Sequence, residues 1–103
     1  MKIVVFIKEK NLERLKDGIR LALGLTINHR VSLVITGVSA DIISGALNDH
    51  AFKASLEESI GLLNGMSGEV RSQKAITGID KAGLISNGEL MNLTLNSDSV
   101  VVW

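Results

Sequence analysis

Apolar and polar residues follow one another along this chain in blocks that switch between two periods. Residues 2–7, Lys-Ile-Val-Val-Phe-Ile, form an unbroken apolar run after the lysine, the pattern of a strand covered on both faces in a parallel sheet. The next block has the helical period. Leu12, Leu15, Ile19, Ala22 and Leu23 fall on one face, Glu13, Lys16, Asp17 and Arg20 on the other, and Asn11 stands where an N-cap belongs. Gly24 or the stretch Thr26-Ile27-Asn28 ends that helix, and residues 30–36, Arg-Val-Ser-Leu-Val-Ile-Thr, read as a second buried strand closed by Gly37.

Residues 40–49 predict a short helix from Ile42, Ile43, Ala46 and Leu47, with Asp41 near its start. A longer helix begins at about Ala51: Phe52, Leu56, Ile60 and Leu63 make one stripe, Glu57 and Glu58 point outward, and Gly65 is the expected stop. Residues 68–73 form a weaker, polar third strand. A short helix is expected over 75–82, ending at Gly83. Ser86 and Glu89 have the spacing of a capping box opening a helix over 87–95, and residues 99–103, Ser-Val-Val-Val-Trp, give a fourth strand. Strands alternating with helices predict an α/β fold, a three-layer α/β/α arrangement with a mainly parallel sheet of four to five strands and right-handed crossovers. Residues 2–7 and 30–36, the most apolar strands, take the centre.

Composition adds limits more than leads. A chain of 103 residues is expected to be one domain. With three aromatic residues, Phe6, Phe52 and Trp103, its core must come from Val, Ile, Leu and Ala. Eleven basic and eleven acidic side chains balance, so no global field draws nucleic acid or a membrane surface. Residues 1–30 hold seven basic and three acidic side chains and residues 31–103 four and eight, an asymmetry that fits solvated helix faces and could also orient a partner. The apolar run at the start is too short for a signal sequence or a membrane span, so a cytoplasmic location is expected. With no cysteine there is no disulfide, thiolate metal site or thiol nucleophile.

In open parallel sheets ligands bind beyond the carboxyl ends of the strands. Here those ends carry Lys8, Glu9, Lys10 and Asn11, then Thr36, Gly37, Val38 and Ser39, then Ser72, Gln73 and Lys74. The candidate binding residues are Lys8, Lys10, Asn11, Gly37, Gln73 and Lys74, whose lysines would converge on an anion with help from helix-terminal amides. The alternative is that the lysines only solubilise loops. Glycine-rich phosphate loops are missing, as is a GxSxG elbow. His29 and His50 lack metal-ligand spacing, Asp49-His50 are neighbours that seldom face each other, and Glu57-Glu58 read as a solvated helix face. No cofactor, metal or self-contained catalytic constellation is expected, which argues against an enzyme.

Three stretches stand out in this order: Lys2-Ile-Val-Val-Phe-Ile7, Asp17-Gly-Ile-Arg-Leu-Ala-Leu-Gly-Leu25 running into His29-Arg-Val-Ser-Leu-Val-Ile-Thr-Gly37, and Gly88-Glu-Leu through Leu95-Asn-Ser-Asp98-Ser-Val-Val-Val-Trp103. Through them the sequence resembles the DsrE/DsrF/DsrH family, which includes the TusBCD sulfur-relay proteins. The resemblance spans essentially the whole chain. It implies a small oligomeric domain engaged in sulfur trafficking, with persulfide carried on a cysteine just after the third strand in active members. Here that place reads Arg71-Ser72-Gln73-Lys74-Ala75, so the implied role is that of a structural or partner subunit, with cysteine-bearing relatives as candidate partners. Two other readings stand beside it: an anion- or nucleotide-binding domain, and a stand-alone assembly protein. Val100 to Trp103, apolar and expected at a sheet edge, predict self-association as a dimer or trimer through Val101, Val102 and Trp103.

Overall fold

The computed structural model describes residues 1–66, 68–79 and 82–103. Among these residues five strands and four helices follow one another as β1 (Lys2–Ile7), α1 (Leu12–Leu25), β2 (Arg30–Ile35), α2 (Gly37–Ala46), α3 (His50–Gly65), β3 (Gly68–Ser72), β4 (Gly83–Leu84), α4 (Asn87–Leu95) and β5 (Ser99–Val102). The strands pair in the order β4-β3-β2-β1-β5, every pair parallel. The two most apolar strands are interior, as their hydrophobic runs predict, and β5 lies at an edge, as its place at the end of the element order predicts.

Local chemistry sets the helix ends. Asn11 accepts from the Arg14 amide, Asp49 from the Ala51 and Phe52 amides, and Ser86 with Glu89 forms a complete capping box. Two expectations need correction. The helix expected within 40–49 starts earlier, at Gly37, because Thr36 caps it by accepting from the Ser39 amide. The helix expected over 75–82 is absent among the described residues: 73–79 run as bends and turns, and Gly78 takes φ +93°, outside any right-handed helix. Asp80 and Lys81 lie outside the described residues. Gly83, taken as that helix's stop, opens β4.

The crossover rule explains an imbalance between the two faces of the sheet. β1, β2 and β3 are laid down in one direction, so right-handed connections put α1, α2 and α3 on the same side. There Ile3, Val5, Ile7, Val31, Leu33, Ile35 and Val70 pack against Leu15, Ile19, Ala22, Ala40, Ile43, Phe52, Leu56, Ile60 and Leu63, all buried. The return from β4 to β5 reverses direction and carries α4 across the other side. That second core is small: Val4, Val34 and Ile85 are buried, with Phe6, Leu90 and Leu93 half-buried around them, and no residue of α4 is itself buried.

Candidate functional site

At the carboxyl ends of the strands, the chain has filled most of its own polar positions. The Lys8 amide donates to the Trp103 carbonyl at 2.8 Å, tying the loop after β1 to the end of β5. In that loop the Glu9 carboxylate accepts from the Lys10 and Asn11 amides, both at 3.1 Å, and lies 3.7 Å from the Arg14 guanidinium. The Asn11 amide above all holds the Glu9 carboxyl below its ordinary range; lost solvent opposes it, and the Lys10 amide and Arg14 add to the lowering. The Ser39 hydroxyl, fully buried, donates to the Glu9 carbonyl at 2.8 Å and so fastens α2 to this loop.

The candidate binding residues are divided by these contacts. The Gly37 amide, the first donor that the start of α2 could offer an anion, donates instead to the Gln73 side-chain oxygen at 3.4 Å. Lys74 Nζ is 2.6 Å from Asp41 on α2 and forms an exposed ion pair there. Asn11 is committed as the cap of α1. Lys8 and Lys10 are exposed and have no ion pair among the described residues. Ser72, where the strand ends, is 1% exposed. Its hydroxyl donates to the Lys74 carbonyl at 2.5 Å and accepts from the Lys74 amide at 3.3 Å, which makes it a turn-former.

The end of β5 divides as well. Trp103 does not stand out from the sheet edge. Its indole lies over Gly18 of α1, and Nε1–H donates to the Arg14 carbonyl at 2.5 Å. Val101 packs half-buried against the main core, while Val100 and Val102 face the opposite side, 42% and 57% exposed. The apolar surface near this strand is therefore formed by Val100 and Val102, and the tryptophan belongs to the domain's own packing.

A cleft of about 370 Å³ opens at the other end of the sheet, between the end of α4 and the amino ends of β1 to β3. Lys2 and Arg30, opposite each other in the β1–β2 register, line it with Ser32, Glu69, Asn96 and Ser97. A shallower depression beside it includes His29, whose Nδ1 is buried without a hydrogen-bond partner. Sequence reasoning missed this cleft, since Lys2 and Arg30 read only as the first residues of two strands. Glu69 accepts from the Ser32 hydroxyl at 2.9 Å, and Asp98 accepts from the Lys2 amide at 2.7 Å, so both nearby carboxylates are engaged. No group of three or more metal-ligating side chains occurs among the described residues, and no helix among them is long and apolar enough to cross a membrane.

No family model matches the sequence, and no curated protein matches it. Among solved structures the chain is similar to the YchN protein of E. coli, with a TM-score of 0.70 at 18% identity over 100% of both chains. It shares the DsrEFH-like fold. That likeness concerns the path of the chain, carried from end to end: among the described residues, a parallel five-stranded sheet flanked by four helices.

Proposed function

We propose that this chain is a non-catalytic DsrE-like subunit that supports intracellular sulfur trafficking by assembly and performs no sulfur chemistry itself. The observation that supports this reading is the loss of the reactive group from an otherwise complete frame. The fold is followed over the full length of the neighbour, yet the end of β3 reads Ser72-Gln73-Lys74 and the chain contains no thiol. Persulfide transfer needs a thiolate to attack a sulfane sulfur and to carry it, and no other side chain here does both. The carboxyl-end loops are consistent with a supporting role: Ser72 is buried in a turn, Gly37 is bonded to Gln73, and Lys74 is paired with Asp41. The same engagements weigh against the anion- or nucleotide-binding alternative, which is left with Lys8 and Lys10. On this reading the partners are further copies of the chain or cysteine-bearing relatives of the same fold, in the cytoplasm.

Cyanolysis after treatment with a persulfide donor tests the proposal. The purified protein is expected to retain no sulfane sulfur. Stoichiometric, covalently held sulfur would overturn the non-catalytic reading.

A further inference from the structure

The amino end of the sheet carries a pair of charges that the fold itself does not explain. Lys2 of β1 and Arg30 of β2 are register partners, so both side chains rise from one row of the sheet on the α4 face. Like charges set directly opposite each other weaken a strand pair. Neither side chain has an ion pair among the described residues. Asp98, at the same end, turns its Oδ2 to the Lys2 amide at 2.7 Å.

The next row on that face lies about 6.6 Å further along the strands. It consists of Val4, Ser32 and Glu69, aligned across β1, β2 and β3. Ser32 interrupts the apolar run of β2, and its hydroxyl donates to Glu69 Oε1 at 2.9 Å. Glu69 Oε2 has the Arg71 guanidinium alone among the described residues, and at 4.0 Å. Over these two rows the end of α4 leaves the sheet uncovered. Leu93, Asn96 and Ser97 form the other wall, and the cleft of about 370 Å³ lies between. That is the size of a small ligand pocket. Its lining therefore holds two cations in one row and a carboxylate with a hydroxyl in the next, beside the apolar surfaces of Val4 and Leu93. The end of α4 adds the negative pole of a helix dipole.

We infer that this cleft binds a small zwitterionic acid, its carboxylate held by Arg30 and Lys2 and its ammonium group by Glu69 and the Ser32 oxygen. The guanidinium fork takes a carboxylate through two parallel hydrogen bonds, and the lysine adds a point charge. Both signs in the lining select a zwitterion over a plain anion. A phosphate or dicarboxylate brings a second negative charge against Glu69, whereas a zwitterion meets each row with its opposite. The separation of the rows selects an amino group several carbons from the carboxyl, since in an α-amino acid the two share one carbon. The site lies at the opposite end of the sheet from Lys8, Lys10 and Lys74, and it stands apart from the non-catalytic reading above.

An NMR titration of the isotopically labelled chain with 4-aminobutyrate tests the inference. Butyrate and butylamine, which keep the same carbon chain and one charge each, are the companion probes. 4-Aminobutyrate is expected to saturate with a Kd on the order of 1–10 mM, in keeping with a ligand of few atoms in an open cleft. The amides that move should be those of 2–4, 30–32, 68–69 and 93–97. Butyrate and butylamine should each bind about tenfold more weakly or worse, having lost one charge-assisted contact. Lys2 and Arg30 are exposed, so Lys2→Gln and Arg30→Gln should keep the native spectrum and each weaken 4-aminobutyrate by about tenfold or more. Glu69→Gln should weaken 4-aminobutyrate and leave butyrate no weaker, and the pair Lys8→Gln with Lys10→Gln should change neither. Should Glu69→Gln disturb the fold through Ser32, the ratio of the three probes on the wild type decides. Failure to saturate by about 100 mM, or shifts confined to 8–11 and 36–39, overturns the inference. Butyrate binding as tightly as 4-aminobutyrate would make this a plain anion site and overturns it too.

Discussion

Gly18 and Gly24 lie on the same helix, yet replacing each by alanine is expected to move stability in opposite directions. In a helix interior, Gly→Ala gains roughly 0.8–1 kcal/mol from propensity alone. At Gly24 nothing lies within 4 Å of the added Cβ, so a part of that gain, reduced by its closeness to the end of α1, is realised. At Gly18 the new Cβ overlaps the indole of Trp103 at Cδ1 and comes within 2.7 Å of Ile7 Cδ1 and 2.8 Å of Trp103 Cγ. Ile7 can swing its terminal methyl aside. The indole cannot move far, because the shift pulls Nε1 from the Arg14 carbonyl it bonds at 2.5 Å.

Overpacking of this kind costs about 1–3 kcal/mol, and the hydrogen bond adds about 1 kcal/mol. Set against the propensity gain, Gly18→Ala is expected to destabilise by about 1–3 kcal/mol, a fall in Tm on the order of 5–15 °C for a domain of this size. Gly24→Ala should raise Tm by a degree or more. Urea and thermal unfolding followed by circular dichroism, at one protein concentration for all variants, measure both. Trp103 fluorescence reports the ring's displacement in Gly18→Ala separately. A Gly18→Ala protein as stable as wild type, or two variants that shift the same way, would refute the packing of Trp103 on α1.

Two further outcomes are expected. The Glu89 carboxyl is held below its ordinary value chiefly by the Ser86 amide and then by Arg71. Its contribution is therefore complete above about pH 4.5 and is lost as pH falls through the lower folded value. Glu89→Gln should accordingly lose less stability than wild type between about pH 6 and pH 3 in urea titrations, and parallel acid limbs for the two proteins would contradict the assignment. Ser72→Cys puts a thiol at a position 1% exposed, so its reaction with a disulfide reagent should proceed only as fast as the domain opens and speed up on adding urea. Immediate reaction in the native protein would show that the end of β3 is accessible.

Much of the frame was legible because it rests on contacts within one element. β1 and β2 show themselves as apolar runs, α1 and α3 by their stripes, and α4 by Ser86 and Glu89 three residues apart. β4 was not legible: two exposed residues, Gly83 and Leu84, carry no periodicity, and only their pairing with Arg71 and Ser72 makes them a strand. The start of α2 was hidden because Gly37 reads as a stop after a strand, and its role as a first helical residue depends on Thr36 turning to cap it. The candidate site was legible in position and not in state. The carboxyl-end rule located Lys8, Gly37, Gln73 and Lys74, but the Lys74–Asp41 and Gly37–Gln73 contacts join segments that no local pattern relates. The place of Trp103 needed the absence of a side chain at Gly18, eighty-five positions away in sequence.

The seam between β1 and β5 also sets the order in which this molecule can assemble itself. Ile3 is aligned with Ser99 and Phe6 with Val102, so the strand that meets β2 after one short helix waits for its other neighbour until nearly the whole chain has been threaded. Helices α1 and α3 and the β1–β2 pair involve near neighbours in sequence and can form early; closing the β5 seam carries the entropy of a far longer loop. Until it closes, β1 offers an open row of amides beside Val4, Val5 and Phe6, and the late step is the one during which two immature chains can pair with each other instead of with themselves.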